Sequence, residues 1–250
     1  MKLVIAKDYE HLSRQGAIIM ASQVLLKPNS VLGLATGSTP LGTYKELIAM
    51  HRDGMIDFSK VVTFNLDEYL GLDKADPNSY NYFMNKNLFD AINIKKENTH
   101  IPCGVFSDEK KMCDEYETQI DAYGGIDLQL LGIGRDGHIG FNEPDAKFMD
   151  ATHVVDLNEQ TINDNSRFFG SRDSVPRKAV SMGIRTIMKS KEILLEASGL
   201  EKAEVLYKTV MGPITPEVPA SALRLHPNVT IIADLKAAGI LGLAEGVYNV

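Results

Sequence analysis

The chain has 250 residues, 44% of them hydrophobic, and a formal net charge of −7. A chain of this length can bury a substantial core, so we predict a single domain over residues 1–250. The acidic balance, with no Lys/Arg run longer than two residues, excludes the charge pattern of proteins that bind nucleic acid or an anionic membrane. No apolar stretch reaches the roughly 18–20 residues that span a bilayer.

The two cysteines, Cys103 and Cys113, lie ten residues apart, a spacing that matches no zinc motif. We interpret both as free thiols. The cysteine content is low, and the N-terminus does not resemble a signal peptide. Together these observations indicate a location in the reducing cytoplasm.

Apolar runs of strand length alternate with amphipathic segments of helix length, a pattern typical of a mostly parallel sheet with helices on both faces. The predicted strands, in chain order, are KLVIA (2–6), VLGLA (31–35), VVTFNL (61–66), DLQLLGI (127–133), THVVDL (152–157), EILLEA (192–197) and VTIIAD (229–234). The predicted helices cover residues 9–26, 40–53, 79–91, 108–123, 176–189 and 200–211. The segment 212–228 contains four prolines and is expected to be a loop over the surface.

The stretch TGSTPLGTYKEL (36–47) follows the second predicted strand. Gly37 permits a tight turn, Ser38 and Thr39 supply hydroxyls, and Pro40 suits a helix start because its missing N–H would be unpaired there. Free N–H groups at the positive end of a helix form a favourable site for a phosphate. A plain helix cap explains Ser and Thr at this position equally well.

The stretch LDEYLGL (66–72) lies at the end of the third predicted strand. Its second and third residues are Asp67 and Glu68. Adjacent side chains of an extended chain point in opposite directions, so at most one of the two can face a common pocket. Ligands of such sheets bind at the carboxyl ends of the strands, which makes one of these carboxylates a candidate acid/base. A solvated acidic loop is the alternative.

The stretch LGIGRDGHIGFNEP (131–144) follows the fourth predicted strand and contains the G-x-G-x-x-G spacing of dinucleotide-binding loops. Those loops need a helix that begins at the third glycine, here Gly137, whereas the glycine and the proline that follow disfavour a helix. Asp156 lies near the position of a ribose-binding acid, which is weak support for a dinucleotide site.

Three titratable groups, Asp136, His138 and Glu143, are concentrated in this same loop. A carboxylate that binds one ring nitrogen of a histidine fixes the tautomer and raises the basicity of the other nitrogen. The spacing therefore predicts a general acid/base group at the end of this strand, and a purely structural histidine is the alternative.

The stretches TGSTPLGTYKEL, TFNLDEYLGL, LGIGRDGHIGFNEP, NSRFF and ALRLHP together resemble the glucosamine-6-phosphate deaminase (glucosamine-6-phosphate isomerase) family. The resemblance extends from about residue 30 to residue 234, and the combination of LDEY with DGHIGFNEP is specific to these deaminases. The resemblance implies a single-domain, Rossmann-like α/β sheet that binds no dinucleotide or other cofactor. The glycine spacing then belongs to a sugar-phosphate loop.

The resemblance also implies the reaction. α-D-Glucosamine 6-phosphate and water give D-fructose 6-phosphate and ammonium through ring opening and aldose–ketose isomerisation. His138 is then the group that exchanges a proton with the ring oxygen, oriented by Asp136 and Glu143, and Asp67 moves a proton between C2 and C1. No metal is expected, because the C2 amino group and a carboxylate can share the proton transfers.

The same resemblance assigns the phosphate of the substrate to Gly37, Ser38 and Thr39, together with Arg167 of NSRFF and Lys202 of GLEKAE. Without the resemblance, the arginine and the lysine would be expected to be surface charges.

Two alternatives remain open at this point. A 6-phosphogluconolactonase would share the phosphate loop and a related DGH segment, but it needs a hydrolytic water and no base at C2. A sensor that binds an amino-sugar phosphate without turnover would need no complete acid/base group. Release of ammonium distinguishes a deaminase from both alternatives.

The stretch DAKFMDATHVV (145–155) departs from the hexameric, allosteric deaminases, which have a basic, serine-rich stretch here that binds N-acetylglucosamine 6-phosphate between subunits. His153 replaces an arginine of that stretch and Val155 replaces a lysine. We therefore predict hyperbolic kinetics without activation by the acetylated sugar, and a monomer or a small homo-oligomer.

Overall fold

The computed structural model describes residues 1–250. Its strands are Lys2–Ala6 (β1), Val31–Leu34 (β2), Val62–Asn65 (β3), Asp67–Tyr69 (β4), Thr99–His100 (β5), Leu128–Leu131 (β6), His153–Asp156 (β7), Lys178–Ser181 (β8), Glu192–Ala197 (β9), Val229–Asp234 (β10) and Gly246–Asn249 (β11). Its α-helices are Tyr9–Leu26 (α1), Leu41–Arg52 (α2), Tyr80–Asn87 (α3), Glu109–Ala122 (α4), Glu159–Phe169 (α5), Ile184–Met188 (α6) and Ala203–Met211 (α7). None of the helices has the length and apolar content needed to cross a membrane.

Eight strands form one open sheet in the order β11-β1-β10-β9-β6-β2-β3-β5. Every neighbouring pair is parallel except β1 with β11. All residues of β2, β3 and β6 are buried, as in sheets that are covered by helices on both faces. The predicted α/β class and mostly parallel sheet are confirmed.

The strand order reverses direction between β2 and β6. From β2 the chain adds β3 and then β5 on one side, and it returns to place β6 on the opposite side of β2, next to β9. Loops that follow two such strands diverge and leave a crevice at the carboxyl ends, where open α/β sheets bind their ligands. The fold therefore predicts a binding site where β2 and β6 end.

A second, antiparallel sheet of three strands, in the order β4-β8-β7, lies beside the large sheet. It packs on its own apolar cluster, which includes Tyr69, Phe141 and Ile162. The run THVVDL does form a strand, β7, but the expectation that it belongs to the parallel sheet is wrong. Its partners are antiparallel, and Val154 pairs with Val180 of β8.

Two other predictions about elements are wrong. Residues 176–189, predicted as one helix, contain β8 and the short helix α6, because KAVS pairs with β4 and β7 and Gly183 separates the strand from the helix. The segment 212–228 is not only a surface loop, since Pro219–Leu225 forms a 3₁₀ turn whose Ala220 and Leu223 are fully buried. Helix α5 was not predicted.

Candidate active site

A single large cavity of about 670 Å³ opens at the carboxyl ends of the parallel strands. Its walls come from the residues that follow β2, β3, β6 and β9, and from side chains of helix α5. The cavity therefore lies at the crevice that the strand order predicts.

One wall is the loop between β2 and α2, which includes Gly37, Ser38 and Thr39. Gly37 has a φ of +97°, a left-handed conformation that favours glycine. Helix α2 begins at Leu41, directly after this loop, so the free N–H groups of its first turn lie next to the cavity. The loop can therefore bind an anion through backbone donors, the hydroxyls and the positive end of the helix.

Two cations, Arg167 of α5 and Lys202 at the start of α7, line the same cavity. Burial lowers the pKa of Lys202, and the nearby carboxylates of Glu201, Asp164 and Asp136 oppose that effect. The guanidinium of Arg167 lies over the Phe168 ring, 4.7 Å from its centre. All five residues that the sequence suggested for phosphate binding are thus brought to one cavity.

Asp67 faces the cavity, whereas the adjacent Glu68 does not. Glu68 instead accepts hydrogen bonds from the backbone N–H groups of Tyr69, Tyr80 and Asn81, and so caps helix α3. Burial and, to a smaller extent, the charge of Glu68 raise the pKa of Asp67 to about 8, although His138 opposes the shift. Asp67 is therefore a carboxyl group that titrates near neutral pH, as a general base for a carbon-bound proton should.

His138 also lines the cavity, and its Nδ1 lies 2.7 Å from Oδ1 of Asp136. Burial lowers the pKa of His138, but the hydrogen bond and charge of Asp136 and the charge of Glu143 raise it above its ordinary value. Burial raises the pKa of Asp136, and its contacts with His138 and Asn158 outweigh that effect and hold it well below its usual range. Nε2 is left as the nitrogen available to a substrate.

Gly134 explains the close glycine spacing of this loop. A Cβ at Gly134 would lie 2.3 Å from ring atoms of His138, so only glycine leaves room for the imidazole. No helix begins at Gly137, and the next helix, α5, starts at Glu159. Asp156 is exposed in the small sheet and does not line the cavity. This loop therefore lacks the helix start and the acidic partner that the dinucleotide interpretation requires.

Glu143 does not line the cavity, but it lies beside the Asp136–His138 pair. One ligand atom from each of the three residues falls within 4.8 Å of the others, a distance compatible with a metal ion. The amide N–H groups of Asn158 point at both carboxylates, and His138 is already paired with Asp136. A cation would have to displace these donors, so the cluster fits proton transfer better than metal binding.

Several cavity residues were not identified from the sequence. Ser198 and Gly199 follow β9, and the rule that ligands bind at strand ends would have indicated them. Arg135 lies within the LGIGRDGHIGFNEP loop. Tyr9, which lines the cavity, and Asn158, which contacts Asp136 without lining the cavity, were not indicated by the sequence because their contacts are with loops far along the chain.

The fold and the cavity define an open-sheet α/β protein in which a helix-entry loop, two cations, a buried carboxyl group and a histidine line one cavity at the strand ends. Residues 15–232 match the family model described as glucosamine-6-phosphate isomerases/6-phosphogluconolactonase. The chain belongs to this family.

Two curated relatives are each named glucosamine-6-phosphate deaminase. The protein of Clostridioides difficile (strain 630) is 57% identical over 241 residues, which cover 96% of this chain and 97% of the relative. The protein of Clostridium botulinum (strain Kyoto / Type A2) is 53% identical over 243 residues, with 97% and 100% coverage.

Solved structures show the same fold. A structure described as a monomeric glucosamine-6-phosphate deaminase has a TM-score of 0.94 at 50% identity and covers 96% of this chain and 100% of its own. The 6-phosphogluconolactonase of Thermotoga maritima has a TM-score of 0.73 at 20% identity, covering 93% and 98%. At that identity the second match concerns the fold alone.

Proposed function

We propose that the protein is a glucosamine-6-phosphate deaminase of amino-sugar catabolism, which converts α-D-glucosamine 6-phosphate and water into D-fructose 6-phosphate and ammonium. The observation that carries this proposal is the presence in one cavity of two proton-transfer groups on different strand ends, Asp67 after β3 and His138 after β6. The deaminase names of relatives more than 50% identical support it.

His138 opens the sugar ring in this proposal. Its Nε2 takes the proton of the C1 hydroxyl and gives it to the ring oxygen, so the bond between C1 and the ring oxygen breaks and an aldehyde forms. Oδ1 of Asp136 lies 2.7 Å from Nδ1 of His138 and holds the ring in place. The charge of Glu143 stabilises the imidazolium that exists between the two proton transfers. These three residues act as one acid/base group.

Asp67 then moves the carbon-bound proton. It takes the C2 proton, the electron pair forms the C1–C2 double bond, and the aldehyde oxygen receives a proton from the C2 ammonium group. Asp67 returns its proton to C1, which leaves an iminium at C2. Water adds there, and the nitrogen leaves as ammonium. No cofactor or metal is needed for these proton transfers.

The phosphate of the substrate binds to the Gly37–Thr39 loop, Arg167 and Lys202 in this proposal. The loop offers backbone donors and hydroxyls, and the two cations approach from α5 and α7. Hydrogen bonds to charged groups are typically worth about 1.5–3 kcal/mol each, enough to make glucosamine without phosphate a very poor substrate.

A paired assay tests the proposal against a lactonase and a non-catalytic sensor. We expect stoichiometric ammonium and fructose 6-phosphate from glucosamine 6-phosphate, and no hydrolysis of 6-phosphogluconolactone above the uncatalysed rate. Lactone hydrolysis without ammonium release would support the lactonase, in which Asp67 is dispensable. Binding of glucosamine 6-phosphate without either product would support the sensor.

We propose that the protein is a monomer without activation by N-acetylglucosamine 6-phosphate. His153 is half-buried on β7, and burial lowers its pKa, so it does not supply the permanent positive charge of an arginine. Val155 packs against the cluster of the small sheet. Neither residue replaces the basic groups of the allosteric site, and a deaminase 50% identical to this chain is described as monomeric.

We also propose a cytoplasmic location. Cys103 is exposed and Cys113 is buried, and both are free thiols, as in proteins kept reduced.

A further inference from the structure

Asn158 is the N-cap of helix α5, the residue directly before its first helical position. Its side-chain Oδ1 accepts a hydrogen bond from the backbone N–H of Thr161 at 2.7 Å. This bond fixes which end of the amide faces the helix. The NH₂ group of Asn158 must therefore point away from the helix, toward the loop that follows β6.

The NH₂ group of Asn158 meets two carboxylates there. It donates to Oδ2 of Asp136 at 3.1 Å and to Oε2 of Glu143. The two acids flank His138, and all three side chains offer atoms within 4.8 Å of one another. One neutral amide thus joins two like charges that would otherwise repel each other.

We propose that Asn158 is a positioning residue for the deamination: its amide holds Asp136 and Glu143 around His138 and ties helix α5 to this acid/base group. The inference rests on the proposed function. Helix α5 carries Arg167 and Asp164 into the cavity, so the same side chain sets the phosphate contact relative to the proton-transfer group.

An amide suits this position better than a charged side chain. A carboxylate would add a third negative charge beside Asp136 and Glu143, and a lysine would neutralise the charges that keep His138 basic. Other charged groups that act on the acid/base group are Lys202, which lowers the pKa of His138, and Asp67 across the cavity. On α5 itself, Asp164 pairs with Arg135 rather than with His138.

Three substitutions separate bridging from helix capping. Asp and Ser cap helices about as well as Asn, whereas Ala does not. Asn158→Asp and Asn158→Ser therefore keep the cap and lose the bridge, and Asn158→Ala loses both. Asp108→Asn, the mirror change at the exposed cap of α4, is the matched control because Asp108 is remote from the cavity.

We expect kcat for glucosamine 6-phosphate to fall about 10-fold to 100-fold in Asn158→Asp and Asn158→Ser, the range seen when the outer partner of a functional histidine is removed. The free energy of unfolding should stay near the wild-type value in Asn158→Ser, whereas the third negative charge should lower it in Asn158→Asp. Asn158→Ala should show the same loss of kcat, together with lower stability and a higher KM. Asp108→Asn should match the wild type.

The pKa of His138 gives a readout that does not depend on turnover. It is followed by NMR of histidine-labelled protein, with the His138→Gln variant used to assign its signal among the six histidines. The added charge in Asn158→Asp should raise this pKa and move the acid limb of the kcat/KM profile to higher pH. Asp108→Asn should change neither the pKa of His138 nor the acid limb of the kcat/KM profile.

Wild-type kcat and an unchanged His138 pKa in Asn158→Asp and Asn158→Ser, with a defect only in Asn158→Ala, would overturn the proposal and leave Asn158 as a simple cap. If the wild type releases no ammonium, the proposed function fails. The His138 titration then still decides whether Asn158 joins the acid/base cluster.

Discussion

Two buried carboxyl groups, Asp67 and Glu196, both have a raised pKa but lie in different surroundings. Asp67 faces the cavity, where its ionisation near neutral pH serves the proposed proton transfer. Glu196 of β9 is equally buried, but it lies beneath helices α1 and α2, where Thr43 donates to its Oε1 at 2.6 Å and its Oε2 has no partner. Burial raises the pKa of Glu196 to about 8. Glu196 therefore has a raised pKa like that of Asp67, but it does not line the cavity.

The Glu196→Gln variant tests this assignment through the pH dependence of stability. The folded-state pKa of Glu196 lies above its ordinary value of 4.5. Its contribution to the wild-type stability is thus fully present below about pH 4.5 and is lost as the pH rises toward 8. Gln does not titrate, so the variant should gain stability relative to the wild type between pH 5 and pH 8.5.

Urea unfolding at these two pH values measures the gain. A stability difference between Glu196→Gln and the wild type that is the same at both values would contradict the prediction. Asp57→Asn is a suitable control, because Asp57 lies at the surface and its pKa is shifted downward rather than upward by hydrogen bonds from Ser59 and Asn93.

At the scale of elements, the phosphate loop is held by helix α1 as well as by its own turn. The hydroxyl of Tyr9 lies 3.1 Å from the carbonyl oxygen of Ser38 and 3.0 Å from that of Thr39. The same hydroxyl accepts a hydrogen bond from the N–H of Gly42 at 2.8 Å. One side chain therefore joins the helix end of this loop to the first turn of α2.

Removal of the Tyr9 hydroxyl should loosen this loop without touching the acid/base groups. We expect Tyr9→Phe to raise KM for glucosamine 6-phosphate by about 3-fold to 10-fold, since a hydrogen bond contributes about 0.5–1.5 kcal/mol, with kcat unchanged. Tyr248→Phe removes a hydroxyl that binds Ala244 near the C-terminus and is the control. An unchanged KM in Tyr9→Phe would show that the turn alone orders the loop.

The two cations should also affect mainly KM, because a phosphate contact is made in the ground state and in the transition state alike. We expect Arg167→Ala and Lys202→Ala each to raise KM about 10-fold to 100-fold, from a loss of about 1.5–3 kcal/mol. Arg172→Ala is the control, since Arg172 pairs with Glu159 outside the cavity. A variant with an unchanged KM would identify its residue as a surface charge.

The elements also show how far the sequence predicts this fold. The runs that become β2, β3, β6, β9 and β10 are mostly apolar, and their carboxyl ends indicated where Asp67 and His138 lie. The run KAVS is apolar enough for a helix or a strand, and only its pairing with β4 and β7 decides. The local sequence pattern does not show this strand pairing, so it cannot distinguish a helix from a strand here.

Contacts between distant segments account for the site residues that the sequence did not indicate. Tyr9 meets the phosphate loop across 29 residues, and Asn158 meets Asp136 across 22. Neither contact can be predicted from the sequence before the position of the neighbouring loop is known. Resemblance to the family identified the residues expected to touch the substrate, but it did not identify these supporting contacts.

At the scale of the whole molecule, the absence of basic groups on β7 predicts simple kinetics. The rate should depend hyperbolically on glucosamine 6-phosphate, and N-acetylglucosamine 6-phosphate should not increase it at any substrate concentration. Light scattering after gel filtration should give the mass of one chain, 27.5 kDa. A sigmoidal rate curve that becomes hyperbolic with the acetylated sugar would contradict the expected hyperbolic kinetics and the expected lack of activation.

The central claim is that Asp67 moves the proton between C2 and C1 while a separate group opens the ring. It is tested most directly by an NMR time course of glucosamine 6-phosphate in D₂O with the wild type and Asp67→Asn. The wild type should form fructose 6-phosphate and ammonium in equal amounts with loss of the C2 proton signal, and deuterium should enter at C1 only to the extent that the proton on Asp67 exchanges with D₂O before it is returned. Asp67→Asn keeps the shape of the side chain but lacks a basic oxygen, so its kcat should fall about 10²–10⁴-fold and the C2 proton should remain. Near wild-type kcat in this variant, with the C2 proton still exchanging, would show that Asp67 is not the base.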